Sequence, residues 1–161
     1  MKKPVLLVIF VAVVVVSAWS WRRTGASDAD GKRLFADRIW IDHVPRSETD
    51  TIQGFVAITG HSIGAFQATS MWRGGFEAFR YEAHAGELRL LYPQTGDRDA
   101  VRVKARRCTE QGMDYCLELD GASRGVKRYY SRKGWEIEGA ADLPAAQRRL
   151  ETVRDQLTAA R

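Results

Sequence analysis

Short strand-like segments make up the chain from residue 38 to residue 138, with turn signals about every ten residues. No helical period interrupts the series, so consecutive strands are expected to pair with one another in antiparallel fashion. The sequence therefore predicts a mainly β fold, an antiparallel meander that closes into a small barrel or forms a strongly curved sheet. The segments are 38–44, 51–59, 62–72, 76–84, 87–93, the two arms of 99–121, 126–132 and 135–138.

The C-terminal segment, residues 141–161, changes to a helical period. Asp142 can cap a helix, and Pro144 suits its first turn. The apolar residues recur at steps of three and four: Leu143, Ala146, Leu150, Val153 and Leu157. We expect an amphipathic helix whose apolar stripe packs on the sheet or closes a barrel end. The alternative is that the stripe binds a protein partner or a second copy of the chain. The residues available for that contact are Leu143, Leu150, Val153 and Leu157.

The first 23 residues, MKKPVLLVIFVAVVVVSAWSWRR, place an uncharged and mostly apolar run between two lysines and two arginines. At about 1.5 Å per helical residue, this run is near the length that crosses a bilayer. Two interpretations remain, a retained single-pass membrane helix and a cleaved signal peptide. Both place the linker (24–33) and the β-domain (34–140) on the extracytoplasmic, periplasmic side, and cleavage would make the protein secreted.

The net charge of +5 does not indicate nucleic-acid binding. Four of the 25 basic residues and none of the 20 acidic residues lie in the first 23 positions, so charges nearly balance in the rest. A nucleic-acid partner requires a basic face on the folded domain. The composition therefore favours a protein without a nucleic-acid partner.

Cys108 and Cys116 lie in a stretch that alternates on both arms, which predicts a hairpin with Gly112 at its turn. Cysteines opposite each other on adjacent antiparallel strands can form a disulfide. No histidine or third cysteine lies near enough to complete a zinc site, so we expect a disulfide. Disulfides persist in oxidising compartments, which agrees with export.

The register of this hairpin follows if the two cysteines are directly opposite each other. Opposite charges then meet on one face, as cross-strand pairing favours. Both cysteines share the parity of the charged residues, so the disulfide is expected on the solvent-exposed face. The predicted pairs are Arg106–Glu118, Lys104–Asp120 and Ala105–Leu119.

Residues 60–64 read GHSIG and match the G-x-S-x-G pattern of serine hydrolases, with Ser62 in the nucleophile position. That motif acts at a strand–turn–helix junction of a parallel α/β sheet, and this chain has no repeating βα units. We therefore interpret Gly60-His61 as a two-residue hairpin loop with a type II′ turn. The strand pairs that this turn predicts are Ile58–Ile63, Val56–Ala65 and Phe55–Phe66.

An early tryptophan (Trp40), a series of antiparallel strands, a basic residue on the last strand (Arg128 or Arg132) and a following helix resemble the lipocalin or calycin barrels. The glycine that this family has two residues before the tryptophan is Arg38 here. The resemblance implies that Arg128 or Arg132 packs over Trp40 and closes the barrel base. It also implies a cup for a small apolar ligand, although aromatic side chains could fill the barrel instead. The candidate ligand contacts are Trp40, Phe66, Tyr130 and Arg128.

The sequence indicates no catalytic residue, metal site or cofactor. Its three histidines, His43, His61 and His84, are scattered at turns or strand ends without paired carboxylates. We expect a membrane-tethered, non-enzymatic binding domain at the outer face of a membrane, with a small apolar ligand. The alternative is a partner-binding or assembly subunit that uses the C-terminal helix and the basic segment 126–132.

Overall fold

Eight consecutive antiparallel strands form a closed barrel in the computed structural model, which describes residues 34–70, 74–138 and 142–160. Each strand pairs with the next, and the last pairs with the first through Tyr130 and Ile41. The predicted meander is therefore confirmed, and it closes as a barrel. The strands are β1 (Trp40–Ile41), β2 (Ile52–Ile58), β3 (Ile63–Thr69), β4 (Gly74–His84), β5 (Glu87–Leu91), β6 (Arg98–Arg107), β7 (Tyr115–Asp120) and β8 (Arg128–Ser131).

The closing seam of the barrel is shorter than the sequence predicted. Segment 38–44 forms only the two-residue β1, and segment 135–138 forms an isolated bridge between Arg38 and Glu136. Hydrogen bonds from Ile39 N to Trp135 O and from Ile137 N to Asp37 O continue the seam without regular strands. The predicted membrane helix and linker lie outside the described residues. Within the described part, no helix is long and apolar enough to cross a bilayer.

The inward-facing side chains of the strands form one apolar core inside the barrel. The ring centroids of Phe55, Phe66 and Phe79 lie 5.2–5.9 Å apart, within the range of packed aromatic pairs. An eight-stranded barrel is just wide enough for side chains to fill it. Packed rings therefore occupy the interior. The aromatic members of this core are Phe35, Trp40, Phe55, Phe66, Phe79, Tyr81, Tyr92, Tyr115 and Tyr129.

The predicted C-terminal helix, α1 (Leu143–Ala159), packs on the outer face of β2 and β3. The Asp142 side chain accepts a hydrogen bond from Ala145 N at 2.8 Å and caps the helix. Gly54 permits the close approach, because a Cβ there would lie 2.5 Å from Leu150 Cδ2. The apolar stripe thus forms a second, outer core with the barrel wall. Its buried helix residues are Ala146, Leu150, Val153 and Leu157.

The β2–β3 hairpin has the predicted pairing but a different turn. Ile58 pairs with Ile63, and the two other predicted pairs are also present. The type II′ turn was wrong, because residues 59–61 form a 3₁₀ turn. The left-handed residue is Ser62, at φ 49°, and its N–H donates to Thr59 O at 3.3 Å.

The predicted disulfide between Cys108 and Cys116 is confirmed, with the two Cα atoms 5.7 Å apart. The predicted register was wrong by two residues. Cys108 lies beyond the end of β6, where its N–H donates to Asp114 O, and a 3₁₀ turn at 110–112 lengthens the loop. The disulfide is therefore diagonal rather than directly across the hairpin. The observed pairs are Arg106–Cys116, Lys104–Glu118 and Ala105–Leu117.

The expected exposure of the disulfide was also wrong for one of its cysteines. Cys116 points away from the barrel interior, as its parity predicted, but it is only 1% exposed. It packs in the outer core with Met113, Tyr130 and Trp135. The chain that follows β8 covers this wall, so the outward face is not a solvent face here.

Candidate functional site

An arginine closes the base of the barrel, but it is Arg38 rather than Arg128 or Arg132. Its guanidinium carbon lies 5.7 Å from the centroid of the Trp40 ring. Its Nη2 donates to Glu136 Oε1 at 2.5 Å. Because residues two apart in a strand face the same side, the pairing of Arg38 with Trp40 was available from the sequence. Among the described residues, neither Arg128 nor Arg132 stacks on an aromatic ring, so the end of the barrel sequence does not supply the closing cation.

A second arginine closes the opposite end, which we call the mouth and which includes the loops 92–97 and 121–127. The Arg124 guanidinium carbon lies 5.1 Å from the Tyr92 ring centroid. Its Nε donates to Glu77 at 3.0 Å, and its Nη2 donates to Asp97 Oδ2 at 2.9 Å. Gly125, at φ 70°, lies against the Phe66 ring, so the loop is seated on the interior core. Both ends of the barrel are thus covered.

A half-buried carboxylate, Asp99, anchors the mouth loop from below. Asp99 Oδ2 accepts hydrogen bonds from Tyr92 Oη at 2.8 Å and from Ser123 N at 2.7 Å. Burial raises the pKa of Asp99, but the hydrogen bonds from Ser123 and Tyr92 and the charge of Arg124 outweigh it, so the pKa is lowered overall. Burial, followed by the contact with Asp99, raises the pKa of Tyr92. Tyr92 therefore remains a neutral donor.

The four residues predicted to contact a ligand lie in two separate places. Trp40 and Phe66 are buried inside the barrel, on either side of Phe55 in one cross-strand row. Tyr130 and Arg128 lie on the outer face of β8. There, Arg128 pairs with Glu118 at 3.4 Å and with Glu110 at 3.6 Å, and Tyr130 Oη lies 3.4 Å from Glu110. The structure therefore does not bring the four into one site.

Ser62 lies at an exposed position in the β2–β3 loop, and a strand rather than a helix follows it. His84 ends β4, where its Nε2 lies 3.8 Å from Glu82. In residues 34–70, 74–138 and 142–160, no three side chains of His, Cys, Asp or Glu come together as a metal-binding group. The geometry of a nucleophile elbow is not present at Ser62.

An open groove of about 890 Å³ runs across the outer face of β4, β5 and β6, and we call it the wall groove. Its floor is the backbone of a cross-strand row whose side chains, Tyr81 and Leu90, face inward. One side is the row Arg80–Leu91–Arg98, and the other is the row Glu82–Arg89–Ala100. α1 packs mainly on β2 and β3, so it does not cover the strands that carry the wall groove.

The wall groove carries more positive than negative charge. Arg89 lies 3.6 Å from Glu87, its neighbour along the same strand. Arg80 and Arg98 form no ion pair with any residue that the structure describes. These arginines were not among the site residues predicted from the sequence. The sequence did contain a signal for them. Arg80, Arg89 and Arg98 each have the parity of outward-facing residues on three consecutive strands, and a meander places such strands side by side.

No family model, curated protein or solved structure matches this chain. Function is therefore inferred from the closed barrel, the wall groove and the disulfide.

Proposed function

We propose that this protein is an exported, non-enzymatic binding module, built as a lipocalin-like barrel, that recognises a negatively charged ligand in the wall groove. The row Arg80–Leu91–Arg98 carries this proposal. It places two arginines, neither of which has an acidic partner among the described residues, on either side of a half-buried leucine. Arginines are the side chains best suited to bind carboxylate and phosphate groups.

The barrel interior is the alternative site, for the small apolar ligand of the lipocalin family. The rings of Phe55, Phe66 and Phe79 pack against one another inside the barrel. A ligand in the interior would therefore have to displace aromatic side chains. It would also have to pass Arg38 at the base or the loop 121–127 at the mouth. An outer site needs neither rearrangement, so the outer site is favoured.

The helix stripe is the second alternative, as a contact for a protein partner. Leu150 and Val153 are 4% and 0% exposed, because they pack against the barrel wall. A partner could reach them only if α1 left the wall and exposed the outer core. The wall groove is accessible without that step.

Export is supported by the disulfide between Cys108 and Cys116, since disulfides persist in oxidising compartments. The apolar N-terminal run would hold the domain on the extracytoplasmic side. Alkylation of intact cells with a membrane-impermeant maleimide, before and after reduction, tests this part. Labelling only after reduction supports an external disulfide, and labelling without reduction contradicts it.

A binding comparison tests the groove itself. The full chain, purified in detergent, is titrated with polyphosphate and with poly-glutamate at rising salt. We expect the double variant R80Q/R98Q to bind polyanions at least tenfold more weakly, because both unpaired groove charges are lost. The matched control R102Q/K104Q removes the same amount of charge from β6, where each of the two residues is paired across the strands with an acidic residue of β7.

Equal weakening in both double variants would mean that binding follows net charge and not the groove. Native mass spectrometry on the same sample checks the interior. A retained apolar molecule that Phe66→Trp displaces would support the lipocalin-type site instead.

A further inference from the structure

The spacing of the two unpaired arginines limits what the wall groove can hold. Arg80 and Arg98 are the cross-strand neighbours of Leu91 on its two sides. Their Cα atoms are therefore two strand spacings apart, about 10 Å. Both side chains project outward and are longer than the leucine between them. A single anion above Leu91 can thus meet both guanidinium groups.

Phosphate fits this gap better than a carboxylate. A phosphate monoester offers three terminal oxygens on different sides of one phosphorus atom, so two planar guanidinium groups can each donate a pair of hydrogen bonds. Hydrogen bonds of about 2.8 Å on both sides of the anion, added to its own width, span the gap between two extended arginines. A carboxylate has one planar edge and fits one such fork.

The remaining lining describes the rest of the ligand. Ile63, the cross-strand neighbour of Arg80, and Leu91 supply half-buried apolar surface beside the arginines. Glu82 stands on the opposite side of the groove, next to Arg89. Its carboxylate repels a second anionic group and accepts hydrogen bonds from hydroxyl groups. A single phosphate joined to a neutral organic group matches this pattern.

We propose that the wall groove binds one phosphate group between Arg80 and Arg98, as part of a phosphate ester whose organic part lies on Leu91 and Ile63. This inference rests on the proposed function and names the ligand class of the same site. A phosphatidic acid headgroup and a soluble phosphate monoester both present this chemistry.

Calorimetric titration of the full chain in a non-ionic detergent tests the inference, with glycerol 3-phosphate and monomeric dihexanoyl phosphatidic acid as probes. We expect at least one probe to bind, and R80Q or R98Q to weaken binding at least tenfold. R98K should lose less than R98Q, since lysine keeps the charge but not the fork. The matched control R102Q, outside the groove, should stay within twofold of wild type.

The two probes separate the sources of the phosphate. Binding of the lipid alone identifies a headgroup in the bilayer, and equal binding of both identifies a soluble ester; either result supports the inference. Arg80-dependent binding of poly-glutamate, with neither phosphate probe bound, overturns it and leaves the proposed function standing. If neither phosphate nor polyanion binding responds to R80Q and R98Q, both fail. Circular dichroism of each variant verifies that the barrel remains folded.

Discussion

The guanidinium carbon of Arg38 lies 4.0 Å from the centroid of the Tyr115 ring. One buried arginine thus connects the chain before β1 to β7 across the base of the barrel, while its ion pair reaches Glu136 beyond β8. A cation stacked on an aromatic face gains most when both are shielded from water. The lipocalin resemblance implied that a basic residue near the last strand closes the barrel base. Arg38, which precedes the first strand, closes it instead.

Replacing Arg38 by alanine should lower the free energy of unfolding by about 2–3 kcal/mol, because stacking, packing of the methylene stem and the ion pair are lost together. Arg102 provides the comparison, since its side chain is 80% exposed and pairs with Asp120 on the surface. Arg102→Ala should change the same quantity by less than about 1 kcal/mol. Urea denaturation followed by tryptophan fluorescence measures both. Equal losses would show that Arg38 does not hold the base.

The mouth loop should tolerate no side chain at Gly125. A Cβ there would overlap Tyr129 Oη and the Phe66 ring, and φ is 70°. Gly96 has a similar φ of 80° with no atom within 4 Å of its Cβ position, so it isolates the backbone effect. We expect Gly96→Ala to destabilise by about 1 kcal/mol and Gly125→Ala by at least about 2 kcal/mol more. Thermal unfolding of the two variants gives the comparison, and similar melting temperatures would contradict the seated loop.

The contact between α1 and the barrel wall should appear as a coupling between Gly54 and Leu150. Gly54→Ala introduces a methyl group into the space of the leucine, and Leu150→Ala leaves a cavity costing about 2–4 kcal/mol. Together, the two changes should be less destabilising than the sum of the single variants, by at least about 1 kcal/mol. A double-mutant cycle from urea denaturation measures this. Additive losses would place the helix elsewhere in solution.

Acid should weaken the mouth through Asp99. Its pKa is lowered in the folded state, so its contribution is complete above the unfolded value of about 4 and is lost as pH falls through the folded pKa. Asp99→Asn should cost about 1–2 kcal/mol at pH 7. It should also reduce the loss of stability between pH 5 and pH 3 relative to wild type. Asp120→Asn, at an exposed ion pair, serves as the control, and an acid dependence unchanged by Asp99→Asn would refute the assignment.

Removing the disulfide with the double variant C108A/C116A should lower the free energy of unfolding by about 2–3 kcal/mol. The bridge closes a short loop, so the entropic effect is modest. Cys116 is also buried, so loss of its packing adds to the effect. Urea denaturation of wild type with and without reductant provides the parallel measurement. If reduction leaves stability unchanged, the bridge does not brace the β6–β7 hairpin.

The order and pairing of the strands could be predicted because alternation assigns each residue to a face. The β2–β3 hairpin illustrates this, since its pairs follow from parity and a short loop even though the turn at Ser62 was assigned incorrectly. The β6–β7 register could not be predicted in the same way. A shift of two residues keeps every side chain on its face and still sets Lys104 opposite an acid. In the observed register, the loop contains a 3₁₀ turn at 110–112 with Gln111 left-handed at φ 54°, and neither feature follows from parity.

The candidate site was harder to predict than the fold. Arg38 and Glu136 are 98 positions apart, and no local sequence pattern indicates that they form an ion pair at the base of the barrel. The wall groove depends on which rows of β4, β5 and β6 are adjacent, and the stagger between strands sets this. Parity alone places Arg80 and Arg98 on the outer surface. It does not place them on either side of Leu91.

The barrel closes through its shortest strand, β1. β1 pairs with β2 at two positions and with β8 at one, whereas β2 and β3 share seven. Amide hydrogens near Ile41 should therefore exchange with deuterium sooner than those of the other strands. Parting of this seam would leave β2 and β8 with free edges, where strand exchange between two molecules would begin.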